Sequence, residues 1–157
     1  VEPSLIRVDA DEVTYPSHIM LRYYIEKYLI SGDMEVNDIP EAWAQGMEKF
    51  LGIKPANDRE GCLQDIHWRD GSFGYFLTYT LGAIYASQFY AKASESLKDL
   101  DKDLAKGDIS ALREWLGKHV HSQASRYAPD ELVKKVTGNG LDVDVFKAHL
   151  TKRYLGK

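Results

Sequence analysis

Gly61-Cys62-Leu63-Gln64-Asp65-Ile66-His67-Trp68 packs an amide, a carboxylate, an imidazole and an indole into five positions, Gln64 to Trp68. Such a run is costly as ordinary core, because each polar group needs a partner once it leaves water. Asp65-x-His67 is its most reactive pair. A carboxylate near an imidazole can set its tautomer and orientation, leaving the other ring nitrogen for a substrate. The same spacing also describes a core histidine capped by an acid, since structural networks perturb such groups as sites do. A second polar run, Ile6-Arg7-Val8-Asp9-Ala10-Asp11, opens the chain. Arg7 can pair with an internal acid, or it can present its planar fork to a ligand carboxylate, a task Arg does better than Lys. Tyr75 and Tyr79, one helical turn apart, read as packing residues or as phenol donors. Together the arginine, the histidine and the phenols suit recognition of a carboxylate and stabilisation of an oxyanion.

Other chemistries find less support. Five histidines invite a search for metal ligands. No His-Glu-x-x-His pair occurs, so two imidazoles are not set on one helical face. His119 and His121 are two apart and point different ways on a helix; with His149 they read as surface or helix-end residues. Cys62, the only cysteine, has no partner at ligand spacing and nothing to activate its thiol. It reads as a buried structural cysteine. No residue is assigned to a metal. Asp70-Gly71-Ser72-Phe73-Gly74 reads as a turn rather than a phosphate loop.

The elements that must position these groups read as helices almost throughout. Leu21, Tyr24, Ile25, Tyr28 and Leu29 mark one helical face, with Glu26 and Lys27 off it. Ser31-Gly32-Asp33 stops that helix, and Pro16 is either its start or a kink. Asp38 with Glu41 predicts a capping pair for a second helix, with Pro40 in its first turn. Trp43, Met47, Phe50 and Leu51 form the buried stripe of that helix, and Gly52 closes it. Lys54 to Gly61 is loop, and the Gln64–Trp68 cluster is either a helical turn or extended. From Phe73 onward the apolar pattern covers most sides, which predicts a helix in the middle of a helical domain. Lys98 to Lys106 reads as a solvated run. Asp108 can cap a helix with Ile109, Leu112, Leu116 and Val120 inward. Pro129-Asp130-Glu131 starts another helix, which Thr137-Gly138-Asn139-Gly140 ends. Asp142 starts the last, with Phe146, Leu150 and Tyr154 on its buried side. The predicted class is all-α, a single multi-helix domain over 1–157.

Composition agrees with a globular protein: 44% hydrophobic and 28% charged residues over 157 positions, enough for one core. The formal charge of −4 attracts no phosphate backbone, which argues against nucleic acid. No apolar run approaches a membrane span of about 20 residues, and no basic-then-apolar leader opens the chain. A lone cysteine suits a reducing, cytoplasmic setting. The chain begins at Val1 without a methionine, as expected of a trimmed tag or of the C-terminal part of something longer.

At its two polar runs the sequence resembles the carboxypeptidase Taq family of metallocarboxypeptidases. That family carries Ile-(Arg or Ala)-x-x-Ala-Asp, matched by Ile6, Arg7, Ala10 and Asp11. It also carries Gly-x-x-Gln-Asp-x-His-Trp, matched at Gly61, Gln64, Asp65, His67 and Trp68. The following Phe73-Gly74-Tyr75-Phe76, with the Tyr-Pro-Ser-His and Thr-Tyr-Thr-Leu-Gly surroundings, is similar too. The family's His-Glu-x-x-His helix and downstream His-Glu-Ser-Gln motif are missing.

The resemblance therefore implies the C-terminal part of a zincin-like, neurolysin-like helical metallopeptidase. Such an enzyme would remove single residues from peptide C-termini, using a divalent metal (zinc or cobalt) held outside this chain. By the same likeness Arg7 would bind the terminal carboxylate and His67 would hydrogen-bond the substrate backbone. Tyr75 would donate to the oxyanion, chosen over Tyr79 because it follows Phe73-Gly74. Gln64 and Asp65 would orient their neighbours, and Tyr79 would line the substrate side. Expected partners are peptides with a free C-terminus, the missing N-terminal portion and a second copy in a homodimer, with no nucleic acid and no membrane. The competing reading is a helical interaction or regulatory module that kept the fold and lost the chemistry.

Overall fold

The structure, a computed structural model, describes residues 1–156. Among them are α1 (Tyr15–Ser31), α2 (Ile39–Leu51), α3 (Leu77–Ser96), α4 (Leu100–Ala105), α5 (Ser110–His119), α6 (Pro129–Thr137) and α7 (Val143–Leu155). Short 3-10 turns occupy Arg7–Asp9, Val36–Asp38 and His121–Gln123. No strand occurs among the described residues, and the class is all-α as predicted. No helix among them is long and apolar enough to cross a membrane. The chain sorts into two compact units, Val1–Leu81 and a second that starts at Gly82.

In the first unit Leu21 and Ile25 of α1 meet Trp43, Met47 and Leu51 of α2. Gly46 permits this closeness, since a Cβ there would lie 2.2 Å from Leu21 Cδ1. Pro40 takes the first turn of α2, and Gly52 ends the helix at φ +71°, where a residue with a Cβ is strained. The predicted Asp38–Glu41 capping pair does not form. Asp38 is already helical in backbone, and its Oδ2 instead accepts from Glu35 N at 3.0 Å, closing the preceding 3-10 turn.

Helix α1 departs from its predicted face in an informative way. Leu21 and Ile25 are buried, but Tyr24 and Tyr28 stay partly exposed, with Tyr24 stacked on Phe50 at 6.0 Å. Glu26, expected off the buried face, is only 5% exposed. His18, Arg22 and Glu26 form a buried polar line at i, i+4 and i+8. The helix therefore has a second inner side, facing the segment from Gln64 to Phe76.

That segment runs as turns, with Gly71 at φ +73° and Gly74 at φ +79°. These left-handed residues keep α3 from starting before Leu77. Phe73 and Tyr75 lie exposed while Phe76 is fully buried, so the predicted all-round apolar helix from Phe73 is corrected. Leu77 and Leu81 are exposed too.

The second unit packs Ala93, Leu100 and Trp115 together with Leu97, Leu104, Leu112 and Leu116. The run Lys98 to Lys106, read as solvated, holds α4 and buries Leu100. Asp108 Oδ1 accepts from Ser110 N at 2.9 Å at the start of α5. Ile109 precedes that helix and is exposed instead of inward. Pro129 and Gly138 bracket α6, and Asp142 caps α7 by accepting from Asp144 N. Phe146 is buried as predicted, whereas Tyr154 is exposed.

Candidate functional site

Gln64 splices the opening segment to the rest of the first unit. Its Nε2 donates to the carbonyls of Leu5 at 3.0 Å, Glu60 at 3.2 Å and Gly61 at 3.1 Å. Its Oε1 accepts from Arg7 N at 2.8 Å and from Arg22 Nη2 at 3.0 Å. Nothing in the backbone pairs these segments otherwise, so a side-chain amide does what a strand ladder does elsewhere.

Asp65 stands between two guanidinium groups. Its Oδ1 accepts from Arg7 Nε at 3.0 Å and Nη2 at 2.8 Å. Its Oδ2 accepts from Arg22 Nε at 2.7 Å and also from Arg22 Nη2. Burial alone would raise the Asp65 pKa, but the Arg22 charge and the Arg7 hydrogen bond hold it below the usual carboxylate range. Arg22 is fully buried, donates from Nη1 to His18 O at 2.9 Å, and lies over the rings of Trp43 and Phe76. Burial draws its pKa down to about 10 against the pull of Asp65. For Arg7 burial is the largest single influence and works against the charge, but Asp65 and Tyr15 together outweigh it and the pKa rises.

Arg7 donates from Nη1 to Tyr15 Oη at 2.7 Å, and its guanidinium lies 5.1 Å from the Tyr79 ring centroid. His67 Nε2 lies 3.0 Å from Tyr79 Oη. His67 Nδ1 is 3.9 Å from Asp65 Oδ1 and has no hydrogen-bond partner. The expected Asp65–His67 hydrogen bond is therefore absent, because both carboxylate oxygens serve the arginines. Tyr75, half exposed, meets His67 ring to ring at 5.8 Å and Tyr79 at 5.5 Å. Asp11, the last residue of the opening run, starts α1: its Oδ1 accepts from Val13 N and Thr14 N, each at 2.9 Å.

The structure thus brings Arg7, Gln64, Asp65, His67, Tyr75 and Tyr79 into one cluster. Sequence reasoning missed Tyr15, His18, Arg22 and Glu26, all on α1. Glu26 accepts from Trp68 Nε1 at 2.8 Å and Gly74 N at 3.2 Å. His18 is fully buried, and burial, then the Arg22 charge, draws its pKa to about 4. A period-four polar line within an otherwise apolar helix was the available signal. His119, His121 and His149 belong to the second unit, where His119 stacks on Trp115 at 4.8 Å. Cys62 is half-buried, and burial with the Asp58 charge pushes its thiol up, away from the reactive thiolate. Among the described residues no group of three or more His, Cys, Asp or Glu is placed to hold a metal.

The chain is similar to known carboxypeptidases along nearly its whole length. It is 45% identical over 154 residues to thermostable carboxypeptidase 1 of Thermus thermophilus, covering 98% of this chain and 30% of that protein. With carboxypeptidase 1 of Bacillus subtilis it is 43% identical over 153 residues, covering 98% and 30% respectively. The solved structure of Trypanosoma cruzi metallocarboxypeptidase 1 superposes with a TM-score of 0.93 at 40% identity, covering 99% of this chain and 33% of that one. The chain thus spans about 30% of the length of the curated relatives it matches. The profile of the carboxypeptidase Taq (M32) metallopeptidase family matches residues 1–154, and the chain belongs to that family.

Proposed function

We propose that this chain is the C-terminal part of a metal-dependent carboxypeptidase and forms the wall that holds the substrate's terminal carboxylate. The carrying observation is Arg7, buried against the rings of Tyr15, Phe76 and Tyr79, with part of its fork unspent. An arginine has five N–H donors, and three serve Asp65 and Tyr15, which leaves two. A charged planar donor of this kind, held by Asp65, suits a carboxylate. Selection for a free carboxylate accounts for trimming of ends over internal cleavage.

His67, whose Nδ1 is buried without a partner, hydrogen-bonds the substrate backbone through Nε2, the nitrogen now at Tyr79 Oη. Tyr75 donates to the oxyanion as it forms. Gln64 and Asp65 orient, and Tyr79 holds the imidazole on the substrate side. The implied divalent metal, zinc or cobalt, supplies Lewis-acid chemistry when bound. The described residues do not fit it, having no cluster of ligands, so the metal and the general base belong to the longer enzyme. Family likeness further supports a homodimer, and the lone cysteine supports a reducing, cytoplasmic setting.

The test is Arg7→Gln in the full-length enzyme that carries this segment. KM for peptides with a free C-terminus should rise roughly 10–100-fold, and the preference over amidated peptides should shrink. An unchanged preference overturns the assignment of Arg7. Chelator-sensitive trimming by the 157-residue chain alone would overturn the placement of the metal elsewhere.

A further inference from the structure

Asp65 carries one negative charge and meets two guanidinium groups, one on each oxygen. The other acid on the inner side of α1, Glu26, is turned to Trp68 Nε1 and Gly74 N. His18, held near 4, stays neutral at physiological pH. Asp65 itself thus meets two cations with one negative charge, while the buried Glu26 carboxylate lies one turn beyond Arg22 on α1. An uncompensated buried charge is expensive, and a ligand of opposite sign relieves it.

The two arginines are not equivalent. Arg22 is fully buried, closed in by the His18 carbonyl, Gln64 and the faces of Trp43 and Phe76. Arg7 retains 7% exposure and its unspent N–H groups. The excess charge is therefore presented through Arg7.

We infer that Arg22 is a positioning residue for anion recognition: by neutralising Asp65 from the inner side, it leaves Arg7 unbalanced toward a substrate carboxylate. This rests on the reading of Arg7 given above. Without Arg22, Asp65 and Arg7 close into a one-to-one ion pair. Arg7 is then still oriented but electrostatically spent, and a carboxylate approaching it also meets the charge of Asp65.

The experiment uses the full-length, metal-loaded enzyme with two probes, an N-acylated peptide with a free C-terminus and its C-terminal amide. Arg22→Gln should raise KM for the free acid by about tenfold or more, with the larger share of the loss in KM rather than kcat. Arg22→Lys, which keeps the charge, should recover part of it. The double variant Arg22→Gln/Asp65→Asn restores the positive charge at Arg7 while the Asn Oδ1 can still accept from Arg7 Nε and Nη2, and should bring KM back toward the parent value.

A purely structural Arg22 predicts the opposite, with the double variant worse than Arg22→Gln in KM and in melting temperature; that result overturns the inference. Should either Gln variant lose cooperative unfolding, Arg22→Lys decides alone: a KM as poor as that of Arg7→Gln overturns it. An Arg7→Gln enzyme with unchanged preference for the free acid removes the underlying reading. A weakened Arg7→Gln enzyme with no rescue in the double variant removes only the role of Arg22.

Discussion

His67 Nε2 lies 3.0 Å from the phenol oxygen of Tyr79, whereas Tyr75 meets the same imidazole only ring to ring, 5.8 Å between centroids. The two tyrosines, one turn apart in sequence, are thus given different tasks by their surroundings. Tyr79 is engaged, and Tyr75 is presented.

Kinetics should separate them. In the full-length enzyme Tyr75→Phe should lower kcat roughly 10–1000-fold with little change in KM. Tyr79→Phe frees the His67 ring and should act more on KM than on kcat. A full-rate Tyr75→Phe enzyme returns that residue to a packing role.

His18 predicts an acid-sensitive window. Its pKa falls from 6.5 in the unfolded chain to about 4 in the fold. Below 6.5 the unfolded state takes up a proton that the folded state refuses, so stability falls as pH drops and levels off below about 4. The gap amounts to about 3 kcal/mol. Asp65 acts in a lower window: its folded pKa lies below 3.8, so its contribution is full above that value and is lost as pH falls further. Urea denaturation should show a slope between pH 6.5 and about 4 that His18→Gln flattens. An unaltered slope in that variant would assign the effect elsewhere.

Glu26 should prove a stability residue. Glu26→Ala strands the Trp68 indole N–H and the Gly74 amide, both now bonded to the carboxylate. The expected loss is about 1–2 kcal/mol, from the half-buried indole N–H left without its acceptor, Gly74 being exposed to water. Chemical denaturation followed by tryptophan fluorescence measures it, and a loss near zero would mean that water reaches both groups.

Two helical glycines should respond with opposite signs. Gly46→Ala drives a methyl into buried Leu21 Cδ1 and should destabilise by about 1–3 kcal/mol. Gly82→Ala meets nothing within 4 Å and should stabilise α3 by about 0.5–1 kcal/mol. Melting temperatures of the two variants check both signs together.

Local chemistry made much of this legible before any coordinates. Pro40 and Gly52 bracket α2 because a missing N–H and a missing Cβ suit only those positions. Asp142 caps α7 for the same kind of reason. The polar runs at Arg7 and at Gln64 to Trp68 stood out because such groups are costly to bury without partners.

What the sequence by itself determined was the helical class, most helix ends and the members of one side-chain cluster: Arg7, Gln64, Asp65, His67, Tyr75 and Tyr79. Only the tertiary structure decided how those groups are paired. A helix positions neighbours three or four residues away, so periodicity reports which residues share a face but not what that face meets. Nothing in the sequence singles out Arg22, because its acid comes from 43 positions away. Asp65 looked like the partner of His67 until two arginines took both its oxygens. Charge pairing in a low-dielectric interior is settled by long-range packing, and that is where Asp65 acquires its two arginine partners.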